Sequence, residues 1–183
     1  MDAKTVPELK KIAKERGLKG YSKLKKQELI NLLESKPYNY NLDWMEELNI
    51  TCNQAATRGE IETVKTCKEF GATNFDEAMK FAAKGGHIEI VKALKEWGAK
   101  DFDGAMAQAA RGGHFEIVKA FKEWGATNFD WTMRNAAGGG YLEIVKACKE
   151  WGATNFNWAI QCARLGGHLE IANVCKEWLP EQT

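Results

Sequence analysis

The sequence predicts an all-α chain: a solenoid of five helix-turn-helix hairpins with a 27-residue period, preceded by a small basic helix-loop-helix module. Three observations carry this. The strings GGHIEIVKALKEWGAK, GGHFEIVKAFKEWGAT, GGYLEIVKACKEWGAT and GGHLEIANVCKEW start at Gly85, Gly112, Gly139 and Gly166, 27 residues apart, and one period earlier AATRGEIETVKTCKEFGAT keeps the same frame. Within each copy the apolar residues fall at helical spacing, as in Ile88, Val91, Leu94 and Trp97. Finally, the charge is uneven. The whole chain has 26 Lys/Arg against 25 Asp/Glu, but residues 1–36 carry ten against five, a net +5 that leaves −4 on the rest.

The head, residues 1–36, comes first. Thr5-Val6-Pro7-Glu8 reads as a capping box with proline in the first turn, opening a helix with Leu9, Ile12 and Ala13 on its apolar side. Gly17 ends that helix, Leu18–Tyr21 form an extended link, and Ser22 caps a second helix whose apolar face is Leu24, Leu29, Ile30, Leu32 and Leu33. Residues 37–48 follow as a linker and capping segment. Proline and asparagine in KPYNYN discourage helix, while Leu42 to Leu48 is placed to cover the first hairpin.

Residues 49–183 are the repeat region. The first helix of each copy is expected to open at Asn49, Asp76, Asp103, Asp130 or Asn157, whose side chains accept a backbone N–H. The alanine pairs Ala82/Ala83, Ala109/Ala110 and Ala136/Ala137 allow close helix approach, with Met79, Met106, Met133 and Ile160 one turn earlier. A Gly-Gly turn leads into the second helix, and Gly71, Gly98, Gly125 or Gly152 ends it. One such hairpin cannot bury its own apolar stripe, so neighbours must stack.

Comparing copies separates scaffold from candidate chemistry. Cys67, Cys148 and Cys175 share a position with Leu94 and Phe121, and Cys52 shares one with the methionines, so these thiols belong to the core. Cys162 aligns with Gln54, Phe81, Gln108 and Asn135 and is expected nearer the surface, and no C-x-x-C pair points to a metal. His87, His114 and His168 recur at one position after the turn, shared with Glu60 and Tyr141, which argues against a catalytic or ligand role. Gly138-Gly139-Gly140 lacks the preceding strand and following Lys-Ser/Thr of a phosphate loop. Trp97, Trp124, Trp151 and Trp178 recur, with Phe70 in the same position, as structural staples; each ring buries on the order of 150 Å². Trp131 and Trp158 occupy a position that is Ile50, Glu77 or Gly104 elsewhere, so burial does not dictate them. The first helices vary most at Lys80/Ala107/Arg134/Gln161 and at Lys84/Arg111/Gly138/Leu165. Lys80, Lys84, Arg111, Trp131, Arg134 and Trp158 are therefore the candidate protein-binding residues, with a positive character that suits an anionic partner.

The string A-A-x-G-G-H-x-E-I-V-K followed by G-A resembles the ankyrin repeat, which implies that His87, His114 and His168 bond neighbouring backbone. The copies are shorter than its usual period of about 33 residues, which implies loss of most of the β-hairpin finger, and T-P-L-H is absent. The shortened units ending in KEWGAT are similar to ankyrin-type arrays encoded by large DNA viruses of amoebae. In the head, E-L-K-K-I-A-K-E-R-G-L-K-G-Y-S-K-L-K-K-Q-E-L-I resembles the N-terminal module of the transcription terminator Rho and the related SAP-type nucleic-acid-binding motif. Carried over by position, the resemblance implies nucleic-acid contacts from Lys19, Gly20, Tyr21, Ser22, Lys23, Lys25 and Lys26.

Together these readings predict a non-enzymatic adaptor. Its head holds nucleic acid, DNA in preference to RNA, through phosphate and with low sequence specificity; its repeats bind a protein. The competing expectation is a purely protein-binding scaffold, viral and host-directed, with no nucleic-acid contact. No cofactor, metal, membrane or small-molecule substrate is expected. The N-terminus MDAKTVPELKK has no apolar signal-peptide core, which predicts a soluble intracellular protein of cytoplasm or nucleus.

Overall fold

The computed structural model describes residues 5–15, 21–23, 25–35 and 43–180. Among these residues the chain is all-helical, with twelve α-helices, one 3-10 turn and no strand. It divides into two compact units, Met1–Glu47 and Leu48–Thr183.

The first unit holds α1 (Val6–Glu15), the 3-10 turn Tyr21–Lys23 and α2 (Lys26–Ser35). The capping box forms as predicted: the Thr5 backbone N–H donates to Glu8 Oε2 at 2.6 Å, and its hydroxyl donates to the same oxygen at 2.8 Å. Leu9, Ala13 and Ile30 are buried, with Val6 and Ile12 packed against them. Two local expectations are corrected. Ser22 does not cap α2 but lies in the 3-10 turn, and the second helix starts at Lys26. There the Glu28 carboxylate reaches back to the Lys25 N–H at 2.7 Å, doing at the helix start what Ser22 was expected to do. Tyr21 belongs to that turn rather than to an extended link. Gly17 and Leu18 lie outside the described residues.

The next helix, α3 (Asp43–Arg58), is continuous, so the segment Asp43–Leu48 is helical and runs without a break into the first hairpin. Asn49 consequently sits inside a helix and caps nothing. From there helices alternate in a repeat-like arrangement: α4 (Ile61–Glu69), α5 (Phe75–Gly85), α6 (Ile88–Glu96), α7 (Phe102–Gly112), α8 (Phe115–Glu123), α9 (Phe129–Gly139), α10 (Leu142–Glu150), α11 (Phe156–Leu165) and α12 (Leu169–Glu177). The odd-numbered helices α5, α7, α9 and α11 pack side by side, and each also packs on the helix that follows it. The alanine pairs are fully buried where those helices meet, and Met79, Met106 and Met133 lie beside them at 0% exposure. Across the hairpin the buried residues are Ile90, Val91 and Leu94 and their counterparts, with Ile88 and Trp97 only partly buried.

The caps lie two residues earlier than expected. Asn74, Asp101, Asn128 and Asn155 accept from the N–H three positions on, that of Glu77, Gly104, Trp131 and Trp158. The helices begin at the intervening phenylalanine because its ring is needed below the tryptophan: Phe75 meets Trp97 edge-on at 5.7 Å, and Phe102–Trp124, Phe129–Trp151 and Phe156–Trp178 do likewise at 6.0, 5.6 and 5.5 Å. Phe70, in the same position as the tryptophans, is 61% exposed and is no staple.

Freed from capping, the side chains predicted to cap reach the next sequence copy. Asp76 Oδ1 accepts from the N–H groups of Lys100 and Asp101; Asp103 from those of Thr127 and Asn128, both at 2.7 Å; Asp130 from those of Thr154 and Asn155, both at 2.7 Å. Asn49 Oδ1 makes the same pair of bonds to Thr73 and Asn74 at 3.1 and 3.2 Å. A second set of links runs backwards. His87 Nε2 donates to the Thr57 carbonyl and His114 Nε2 to that of Lys84, each at 3.0 Å; a carbonyl only accepts, so that nitrogen carries the proton. The rings lie so close to the preceding turn that a Cβ on Gly59 or Gly86 would sit 2.6 Å from the imidazole, and both glycines have positive φ. Glycine is required there on both counts.

Candidate nucleic-acid interface and repeat surface

In the head, the capped α1 and the short α2 position the lysines through the turn between them. The Lys10 ammonium donates to the Ser22 carbonyl, fastening the 3-10 turn to α1. Ser22, Lys23, Lys25 and Lys26 are all exposed where that turn runs into the start of α2. Lys23 and Lys25 have no carboxylate within ion-pair distance among the described residues. The positive end of the helix dipole adds to their field. Such a cluster, presenting ammonium groups and a helix start together, can hold phosphate without reading a base. Lys19 and Gly20 lie outside the described residues, as does the Tyr21 side chain, while the Tyr21 backbone is in the turn.

The six candidate residues of the repeat surface have different surroundings. Lys80 is committed to the fold: its ammonium lies 2.8 Å from Asp101 and 3.4 Å from Glu77. The hydrogen bond to Asp101 is the main cause raising the Lys80 pKa, and the Lys80 partner lowers that of Asp101. Ala107, at the same position one copy on, is fully buried. Variation there reflects two ways of packing, a pairing that the 27-residue frame did not reveal.

Lys84 and Arg111 are exposed, and neither has an acidic partner among the described residues. Arg134 places its guanidinium over the Trp158 ring, 5.4 Å from the centroid, and Trp158 is 49% exposed. Trp131 is half-buried. Arg111 and Arg134 both line a groove of about 500 Å³ whose wall includes Leu165, a leucine 89% exposed.

Four thiols are buried and one, Cys162, is partly exposed; all five are free. Burial pushes the Cys148 thiol up to about 12 and Cys52 and Cys175 up to about 11, so these groups stay neutral and unreactive near neutral pH. Among the described residues no group of three or more His, Cys, Asp or Glu side chains could hold a metal ion. Nor does any described helix have the length and apolarity needed to cross a membrane.

Sequence reasoning missed one recurring contact altogether. Lys68, Lys95, Lys122 and Lys149 each lie over the tryptophan of the following copy, Trp97, Trp124, Trp151 and Trp178, at 4.4, 4.2, 4.8 and 4.4 Å from the ring centroid. The signal was present, since each of these lysines lies two residues before an aromatic in its own copy.

Comparison with known proteins bears on the head. No curated protein matches the chain. Residues 2–36 match the family model described as Rho termination factor, N-terminal domain, so the module bearing the exposed lysines is similar to that family.

Proposed function

We propose that this protein is a non-enzymatic adaptor. Its head contacts nucleic acid, DNA in preference to RNA, through the phosphate backbone, and its repeat region is an ankyrin-like solenoid of five hairpins that engages a protein partner. The observation that carries the nucleic-acid half is the match of residues 2–36 to the Rho N-terminal domain. The exposure of Lys23, Lys25 and Lys26 on the same stretch supports it. Affinity in this reading comes largely from released counterions, so it falls with salt and discriminates little between sequences.

Supporting the solenoid are the 27-residue period and the links that recur with it, Asp103 and Asp130 forward and His87 and His114 backward. Those histidines serve the scaffold rather than a reaction, and Arg111, without an acidic partner among the described residues, and the exposed Trp158 leave part of the odd-helix face open to a partner.

Titration of labelled duplex and single-stranded oligonucleotides at 50 and 200 mM salt tests the head. We expect affinity to drop more than about tenfold between the two salts, duplex to bind better than single strands, and the triple change Lys23→Glu, Lys25→Glu, Lys26→Glu to abolish binding. Salt-insensitive binding, or binding that survives the charge reversal, would overturn the nucleic-acid reading.

A further inference from the structure

Gly138 stands out among the glycines of this chain. It lies inside α9, its φ is not positive, and a Cβ built on it would meet Cys162 only at an ordinary 3.6 Å. Neither backbone conformation nor close packing requires glycine, which costs a helix about 1 kcal/mol relative to alanine. The same position carries Lys84, Arg111 and Leu165 in neighbouring copies. What the missing side chain leaves is space: Gly138 lines the groove of about 500 Å³.

The rest of the lining is specific in character. Two guanidiniums, Arg111 and Arg134, stand on it with no carboxylate partner among the described residues, and Arg134 is held against Trp158 at 5.4 Å. On the opposite side Leu165, 89% exposed, offers an aliphatic surface beside the partly exposed Cys162. No acidic residue lines the groove, and Asp103 and Asp130 on the same helices as Arg111 and Arg134 are engaged by backbone N–H groups of the next copy.

We propose that this groove seats an acidic peptide segment of a protein partner, with side-chain carboxylates on Arg111 and Arg134 and an aliphatic side chain over Gly138 against Leu165. The inference rests on the reading of the repeat surface as protein-binding and names the chemistry of what binds there. Charge complementarity favours carboxylates, which guanidinium groups hold in paired hydrogen bonds. The glycine floor and leucine wall favour an aliphatic group over a nucleotide, which would need a ring to stack on.

The test is selection of random twelve-residue peptides on the full chain, followed by affinity measurement against variants. We expect the selected peptides to be rich in Asp and Glu around one aliphatic residue, and to lose at least about tenfold in affinity on Gly138→Leu, which fills the groove without changing charge. Arg111→Gln with Arg134→Gln should cost at least as much. Leucine is the residue at the equivalent position in α11, and a circular dichroism melt of Gly138→Leu matching the parent shows that the fold is intact. Peptides without acidic enrichment, acidic peptides indifferent to Gly138→Leu, or no selected peptide would each overturn the proposal. So would an oligonucleotide that binds the repeat region and is lost on Gly138→Leu. Peptides that bind elsewhere on the odd-helix face, losing affinity on Trp131→Ala or Lys84→Ala but not on Gly138→Leu, would leave the protein-binding reading standing while removing this one. Failure of every peptide on every part of that face would remove both.

Discussion

Lysine has opposite fates in the two units. In the repeat region most lysines are occupied, Lys84 being an exception: Lys65 and Lys92 pair with a glutamate one turn earlier, Lys80 with Asp101, and Lys95 and its counterparts cover tryptophan rings. In the head Lys14, Lys23 and Lys25 are exposed and hold no carboxylate among the described residues. The core differs in step. Leu9, Ala13 and Ile30 are the buried apolar residues described in the head, whereas the repeat region buries a continuous row from Cys52 to Cys175. The repeat region uses most of these cations to finish its packing; in the head Lys10 fastens the 3-10 turn, while Lys14, Lys23 and Lys25 point to something outside the chain. An overall charge near zero conceals this division completely.

The comparison can be broken most severely through the core. Phe121→Ala removes a ring at 0% exposure that meets Phe102 and Trp124. It should destabilise the repeat region by about 3–5 kcal/mol, read by urea denaturation. The head variant with Lys23, Lys25 and Lys26 changed to Glu should leave the same transition where it is.

A smaller loss is expected from Asp103→Ala, which strips the Thr127 and Asn128 N–H groups of their acceptor. About 1–3 kcal/mol should be lost, with faster amide hydrogen exchange at those two residues as the specific sign. Exchange unchanged at both would show that the aspartate link is incidental.

The smallest effect sharpens the contrast between lysines. Lys95→Gln removes a cation from the Trp124 face and should cost about 0.5–1 kcal/mol and alter Trp124 fluorescence. Lys23→Gln should cost nothing in stability while weakening oligonucleotide binding. Equal stability losses from both would erase the distinction.

Much of the architecture was legible in the sequence because a repeat compares itself. A position that accepts Leu94, Phe121 and Cys148 must be core, and all three are. Recurrence argued against a catalytic role for the histidines and the ankyrin resemblance implied backbone bonding, which His87 and His114 make. What escaped is non-local. In Thr-Asn-Phe-Asp two residues are able to cap, and local rules cannot choose between Asn128 and Asp130; the choice is settled by Phe129 packing on Trp151 and by an acceptor needed 24 residues further on. The lysine–tryptophan contact spans 29 residues against a period of 27, so aligning copies hides it. Of the candidate surface, the ion pair of Lys80 was not foreseen because its partner Asp101 lies in another copy. Gly138 was noticed as part of an unsuitable phosphate loop and as one member of a variable position, and no more, since a groove made by an absent side chain has no signature of its own.

The forward aspartate and backward histidine links also bear on how such a chain can change. The forward acceptor and the N–H groups it meets recur from Asn49 to Asp130, and the backward donor recurs at His87 and His114, so loss or gain of a whole period among these copies rejoins surfaces that already match. A one-residue insertion, by contrast, throws the donors and acceptors of the junction it falls in out of register. Evolution can therefore edit this molecule in complete units, lengthening or shortening it without inventing a new joint, and removing residues 103–129 as a block should prove gentler than deleting a single one of them.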